Sequence, residues 1–97
     1  PTAVLCGNDV LAAGAIRQAR ALGLRVPEDV SITGFDDLEL ATLVTPALTT
    51  VHVPHQEMGR LAARCLVEMV EKSARPRPAP LATELRLRDS LGPPPVV

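Results

Sequence analysis

Two adjacent polar pairs hold most of the chemical potential of this sequence. One is Asn8-Asp9 in "LCGND"; the other is Asp36-Asp37 in "SITGFDDLEL". Each follows a short apolar run that reads as a buried strand. Adjacent acids suit metal ligation, acid catalysis, hydrogen bonding to a small polar ligand, or a turn. Metal binding fits poorly. Two neighbouring carboxylates cannot fill a coordination sphere, and Asp9, Asp29 and Glu39 lack the spacing of a calcium loop. Acid catalysis needs a partner of contrasting pKa, and no nucleophile or triad is identifiable. His52 reads as a structural residue within a strand, and His55 as a residue at a helix start. Gly7 and Gly34 are isolated, unlike the clustered glycines of a phosphate loop. Two readings stay open on local sequence. Asp36 and Asp37 can cap the short helix after them or form an Asx-turn, which is the simpler reading. Alternatively, both strand ends converge. Asn8 then offers a donor and an acceptor, and an ionised Asp36 offers acceptors, a set suited to hydroxyls or amines of a small molecule. That would be binding, not turnover.

The elements that must position these residues can be read along the chain. Residues 2–6, "TAVLC", form a first strand. Asn8 or Asp9 then caps a helix in which Leu11, Ala12, Ala15, Ile16, Ala19 and Leu22 recur at helical spacing, with Gly23 as its stop. "SITGF" is a second strand, so strand, helix, strand suggests a parallel pair with a right-handed crossover. Both polar pairs would then share the carboxyl edge of the sheet, where ligands bind in open α/β folds. "LTTVHV" is a further strand, ended by Pro54. Residues 55–72 give the clearest helix, with an apolar stripe from Met58 to Val70. "SARPRPAP" is a loop. "LATELRLRDS" is a last strand in which alternating Leu85 and Leu87 predict one buried face or an edge position. Residues 92–97 are expected to be a flexible proline-rich tail.

The totals narrow the class. The chain has 97 residues, 46% of them apolar, with one aromatic, Phe35. The core is expected to be thin, so the chain should be a marginal monomer or need a partner. A net charge of -1 gives no nucleic-acid or anionic-membrane footprint. No apolar run is long enough to span a bilayer. Cys6 and Cys65 are far apart and read as reduced thiols, which suits a cytosolic setting. The first residues do not form a signal peptide, and with no initiating Met the chain is expected to begin inside something larger or after processing.

"PTAVLCGND", "ALGLRVPEDVSITGFDD", "LVTPALTTVHVPHQEMGRLAARCLVEMV" and "TELRLRDS" resemble consecutive signature segments of the LacI/GalR family of bacterial transcriptional repressors. The likeness runs over residues 1 to about 90, with several motifs in order and at the right spacing. It implies an α/β fold of the type I periplasmic-binding-protein kind, a parallel sheet with flanking helices, of which this chain is an incomplete part. Residues 1–91 would be the C-terminal part of an effector-binding and dimerisation domain. The helix of residues 55–70 would belong to a different subdomain from the first 44 residues, and the last strand would return.

By the same resemblance, Asn8 and Asp36 are effector contacts, for a sugar or a purine-like molecule. Asp9 and Asp37 are structural capping residues beside them. Leu11, Ala12 and Ala15 lie on a dimer surface. The implied whole is a non-enzymatic, cytoplasmic, homodimeric regulator with no cofactor and no metal. It would bind operator DNA through an N-terminal domain that is not in this sequence. A periplasmic-type sugar-binding protein and a purely oligomerising structural fragment are the alternatives. Gly7 stands where alanine is more usual in the family. The cleft's arginine and stacking aromatics have no counterpart here.

Overall fold

The computed structural model describes residues 1–96. Their contacts divide them into two compact units: Pro1–His52 with the segment from Glu84 onward, and Val53–Thr83. The expected tail at residues 92–97 reaches Val97, which lies outside the described residues. Its first residue is tied down: Gly92 N–H donates to Ser31 Oγ at 3.0 Å, and Ser31 Oγ donates to Gly92 O at 3.1 Å.

The larger unit is strand, helix, strand, as the apolar spacing predicts. Strand β1 (Ala3–Leu5) pairs in parallel with β2 (Ser31–Thr33), with Val4 opposite Ile32. Between them, α1 (Asp9–Ala21) crosses over. Helix α1 ends in a Schellman arrangement: Gly23 N–H donates to Arg20 O and Leu24 N–H to Ala19 O, both at 2.9 Å. Gly23 has φ +79, so the glycine predicted to stop the helix supplies the left-handed turn. Ala12, Ile16 and Ala19 form the inner stripe of α1 and pack with Val30, Ile32, Ala41 and Leu48. This is a small, wholly aliphatic core.

Helix α2 (Leu40–Leu43) follows a stretch that carries no side-chain cap, and its N-cap is Glu39. Strand β3 (Thr50–His52) pairs antiparallel with β4 (Glu84–Arg86), with His52 opposite Glu84. Parallel bridges Thr33 to Thr49 and Asp36 to His52 set β3 beside the β2 side of the sheet. Buried Ser90 closes this seam: its hydroxyl donates to Ile32 O at 2.5 Å and accepts from Thr49 N–H at 2.9 Å.

Two packing expectations need correction. Of the two readings of Leu85 and Leu87, the edge position holds, since β4 pairs with β3 alone among the described strands, and the buried face does not, since they are 63% and 68% exposed. Arg86 and Arg88 turn inward, because an acceptor waits on that side: Arg88 Nη2 lies 2.7 Å from Asp37 Oδ1. Alternation identifies two faces of a strand but not which one is covered. In the dimer-surface set, Ala12 has no exposure and belongs to the chain's own core, and Ala15 packs against that core. Leu11, 59% exposed, faces outward, and Ala15, four residues on, is half-buried on the same side; Ala12 differs because residues one position apart on a helix lie on different sides.

In the smaller unit, α3 (His55–Lys72) follows Pro54 and ends at Ser73, which has φ +50. None of its residues is buried, and Met58, Leu66, Met69 and Val70 of the apolar stripe are exposed.

Candidate functional site

The two polar pairs sit on adjacent loops. Cys6 N–H donates to Thr33 O at 2.8 Å, which continues the β1–β2 ladder. Asp9 N–H then donates to Phe35 O at 3.1 Å. That bond ties the loop after β1 to the loop after β2 at the carboxyl edge of the parallel pair.

Asn8 is the N-cap of α1. Its backbone is extended, and its Oδ1 accepts from Leu11 N–H at 2.8 Å. One side-chain acceptor is therefore committed to the helix, and the amide nitrogen is the donor that Asn8 retains for other work. Asp9 is not the cap. It is the first helical residue, and its side chain is fully buried. Asp9 Oδ2 accepts from Leu38 N–H at 2.7 Å, and Oδ1 from Thr50 Oγ1 at 2.6 Å. Gly34 makes room for this carboxylate, since a Cβ there would overlap Asp9 Oδ1 and press on Leu48. The glycine of "TGFDD" is thus required for a close approach.

Asp36 and Asp37 share an unusual backbone. Their φ values are +117 and +60, a region that L-residues other than glycine seldom adopt. Asp36 N–H donates to Val51 O at 3.0 Å, and Asp37 N–H to Thr50 Oγ1 at 3.3 Å. Asp37 is not a helix cap either, because α2 begins only at Leu40. Its carboxylate is the centre of an ion cluster. Oδ1 meets Arg88 Nη2 at 2.7 Å, Oδ2 meets His52 Nδ1 at 2.9 Å, and Arg86 Nε lies 3.8 Å from Oδ2. Burial pushes the Asp37 carboxyl up, but hydrogen bonds and charge from Arg88 and His52 outweigh it, so the group is held below the usual aspartate value. Arg88 is fixed in turn by donation from Nη1 to Leu48 O at 3.0 Å.

Thr50 joins the two loops. Its buried hydroxyl gives its proton to Asp9 and accepts from Asp37 N–H. Neither Thr50, within the strand "LTTVHV", nor Arg88, after the strand leucines, stands out in the sequence alone. Their signal was a polar residue at a position that strand alternation turns inward, legible only once the facing acids are known. Cys6 and Cys65 are free thiols, and burial raises the Cys6 pKa, the opposite of nucleophile activation. Among the described residues, no group of three or more His, Cys, Asp or Glu could hold a metal ion. No helix among them is long and apolar enough to cross a membrane. This edge of the sheet carries the Asn8 side-chain amide, the half-buried Asp36 and an exposed Phe35.

Residues 1–91 match the family model described as periplasmic binding protein-like domain. The chain is 53% identical over 70 residues to the HTH-type transcriptional repressor PurR of Proteus mirabilis, covering 72% of this chain and 20% of that protein. It superposes on a dimeric Lac repressor with a C-terminal deletion at a TM-score of 0.87 and 33% identity, over 97% of this chain and 35% of that one. A complex of the transcriptional regulator CelR with cellobiose aligns at a TM-score of 0.86 and 39% identity, over 92% of this chain and 28% of the other. The chain thus spans between a fifth and about a third of the length of these relatives.

Proposed function

The chain belongs to the periplasmic binding protein-like domain family and corresponds to part of the effector-binding core of LacI/GalR-type regulators; on that footing, we propose that it forms one wall of the effector cleft in a ligand-responsive transcriptional repressor. Asn8 contributes a donor through its side-chain amide, and Asp36 contributes carboxylate acceptors. The effector is a small polyhydroxylated or purine-like molecule. The protein is a cytoplasmic homodimer that binds operator DNA through a domain outside this sequence, and Leu11 on the outer side of α1 belongs to the dimer surface. The chemistry is recognition and a shift between conformations, with no covalent step.

One observation carries this reading. The Asp9 N–H to Phe35 O bond brings the loops after two parallel strands together, so that Asn8 and Asp36 lie on one edge of the sheet. The experiment is a calorimetric titration of the full-length protein that contains this chain, with guanine, adenosine and cellobiose as probes. At least one is expected to bind, and Asp36→Asn is expected to weaken that binding by about ten-fold or more, the scale of a lost charged hydrogen bond. Unchanged affinity in Asp36→Asn overturns the assigned contact. Failure of all three probes overturns the effector class.

A further inference from the structure

We propose that Asp37 is a positioning residue for effector recognition: its carboxylate, clamped by Arg88 and His52, holds the left-handed turn that presents Asp36. The inference rests on the reading of Asp36 as an effector contact.

Asp36 and Asp37 are consecutive non-glycine residues at φ +117 and +60. Such conformations cost on the order of 1–3 kcal/mol each and persist only where the surroundings over-determine them. Several of the restraints here fall on Asp37. Its two carboxylate oxygens have separate donors, Arg88 Nη2 at 2.7 Å and His52 Nδ1 at 2.9 Å. Two donors on two oxygens fix the orientation of the carboxylate as well as its position. Its side chain is only 13% exposed, so water competes weakly for these bonds. Its amide is held by Thr50 Oγ1. The residue before it is held on the backbone side by Val51 O. Asp36 therefore sits between two anchored points of the backbone, its own amide on Val51 O and the clamped Asp37 after it.

The clamp also has a telling location. His52 is the last residue of the larger unit before the chain passes into the smaller one, and Glu84, paired opposite it, is the first on the return. Arg86 and Arg88 lie just beyond. Both connecting strands thus converge on one carboxylate in the loop that carries Asp36. A rearrangement of either strand would reach Asp36 through Asp37, and effector bound at Asp36 would bias those strands in return.

A merely stabilising ion cluster would leave a different signature, and a double-mutant cycle separates the two. Guanine and cellobiose are titrated into the full-length protein carrying no substitution, Asp37→Asn, Asp36→Asn, or both. Asp37→Asn is expected to weaken binding by about ten-fold in the unsubstituted background and by less than about two-fold in the Asp36→Asn background. Equal losses in both backgrounds, or no loss in either, overturn the proposal while leaving the effector role of Asp36 standing. An Asp36→Asn protein that binds as tightly as the parent overturns that role, and this inference with it. Where Asp37→Asn does not fold, Arg88→Lys reads the same coupling, since it keeps the charge but changes the donor geometry. Where Asp36→Asn abolishes binding altogether, the HN–Hα coupling constant of Asp36 decides. It reports φ, and a value unchanged by Asp37→Asn or Arg88→Lys overturns the proposal.

Discussion

Asn8-Asp9 and Asp36-Asp37 follow neighbouring parallel strands and are stitched together by one backbone bond, yet their anchoring acids are satisfied in different ways. Asp9 is fully buried, and its bonds run to an amide and a hydroxyl, Leu38 N–H and Thr50 Oγ1. Asp37 is partly exposed, and its bonds run to cations and an imidazole. The first arrangement depends on packing and hydrogen-bond geometry. The second depends on charge, and so responds to pH and salt. One loop is built as a fixed post and the other as an adjustable one.

The largest effect expected from breaking this contrast is at the fixed post. Asp9→Ala removes the acceptor from Thr50 Oγ1 and Leu38 N–H and leaves a void beside Gly34. The loss should be about 3 kcal/mol or more in urea unfolding, with faster amide exchange at Leu38. A loss under about 1 kcal/mol would mean that water replaces the carboxylate, and the post would not be a packed one. Gly34→Ala attacks the same point from the other side, since the added methyl meets the Asp9 carboxylate and Leu48 Cδ2. About 1–3 kcal/mol is expected from overpacking, and combining it with Asp9→Ala should recover part of that loss. Strict additivity would break the assigned contact.

Much of this was legible from sequence. Apolar spacing marked β1, α1 and β2, and Gly23 marked the end of α1, because local rules govern those features. The convergence of the two polar pairs followed from the strand, helix, strand order. What was not legible depends on partners far along the chain. Thr50 lies 41 residues from Asp9, and Arg88 lies 51 from Asp37. No local rule distinguishes the cap Asn8 from the buried Asp9, because either side chain can accept from a first-turn amide. The inward turn of Arg86 and Arg88 was hidden for a similar reason. Leucine is the better candidate for a covered face until an acid is known to sit there. The stripe on α3 is also a correct pattern, yet it identifies a face without identifying its cover, and here none of its residues is buried.

At the adjustable post, Asp37→Asn should cost about 1–2 kcal/mol near neutral pH, between the values for exposed and buried pairs. The sign of its pH dependence follows from the depressed folded-state pKa. The contribution is fully present above the unfolded-chain value of about 3.9 and is lost as pH falls through the lower folded value. Parent and variant should therefore differ most at neutral pH and converge in acid. Parallel stability curves down to the acid limb would remove charge as the basis of the contrast.

The smallest stability change sharpens the comparison most, because it separates holding from recognising within a single side chain. Asn8 caps α1 through Oδ1, and its amide nitrogen is the proposed donor to the effector. Asn8→Asp keeps an oxygen at the cap beside the positive end of the helix, so unfolding should shift by only a few tenths of a kcal/mol. Asn8→Ala removes the cap and should cost about 1 kcal/mol. Effector affinity should follow a different order. Both variants lose the amide donor, and Asn8→Asp also adds a negative charge near Asp36, so its binding of guanine or cellobiose should fall at least as far as that of Asn8→Ala. Measured together, near-parental stability with weakened binding in Asn8→Asp would assign the two atoms of one amide to two tasks. Parental binding in that variant would leave Asn8 with the cap alone and shift recognition on this edge to the loop that Asp37 holds.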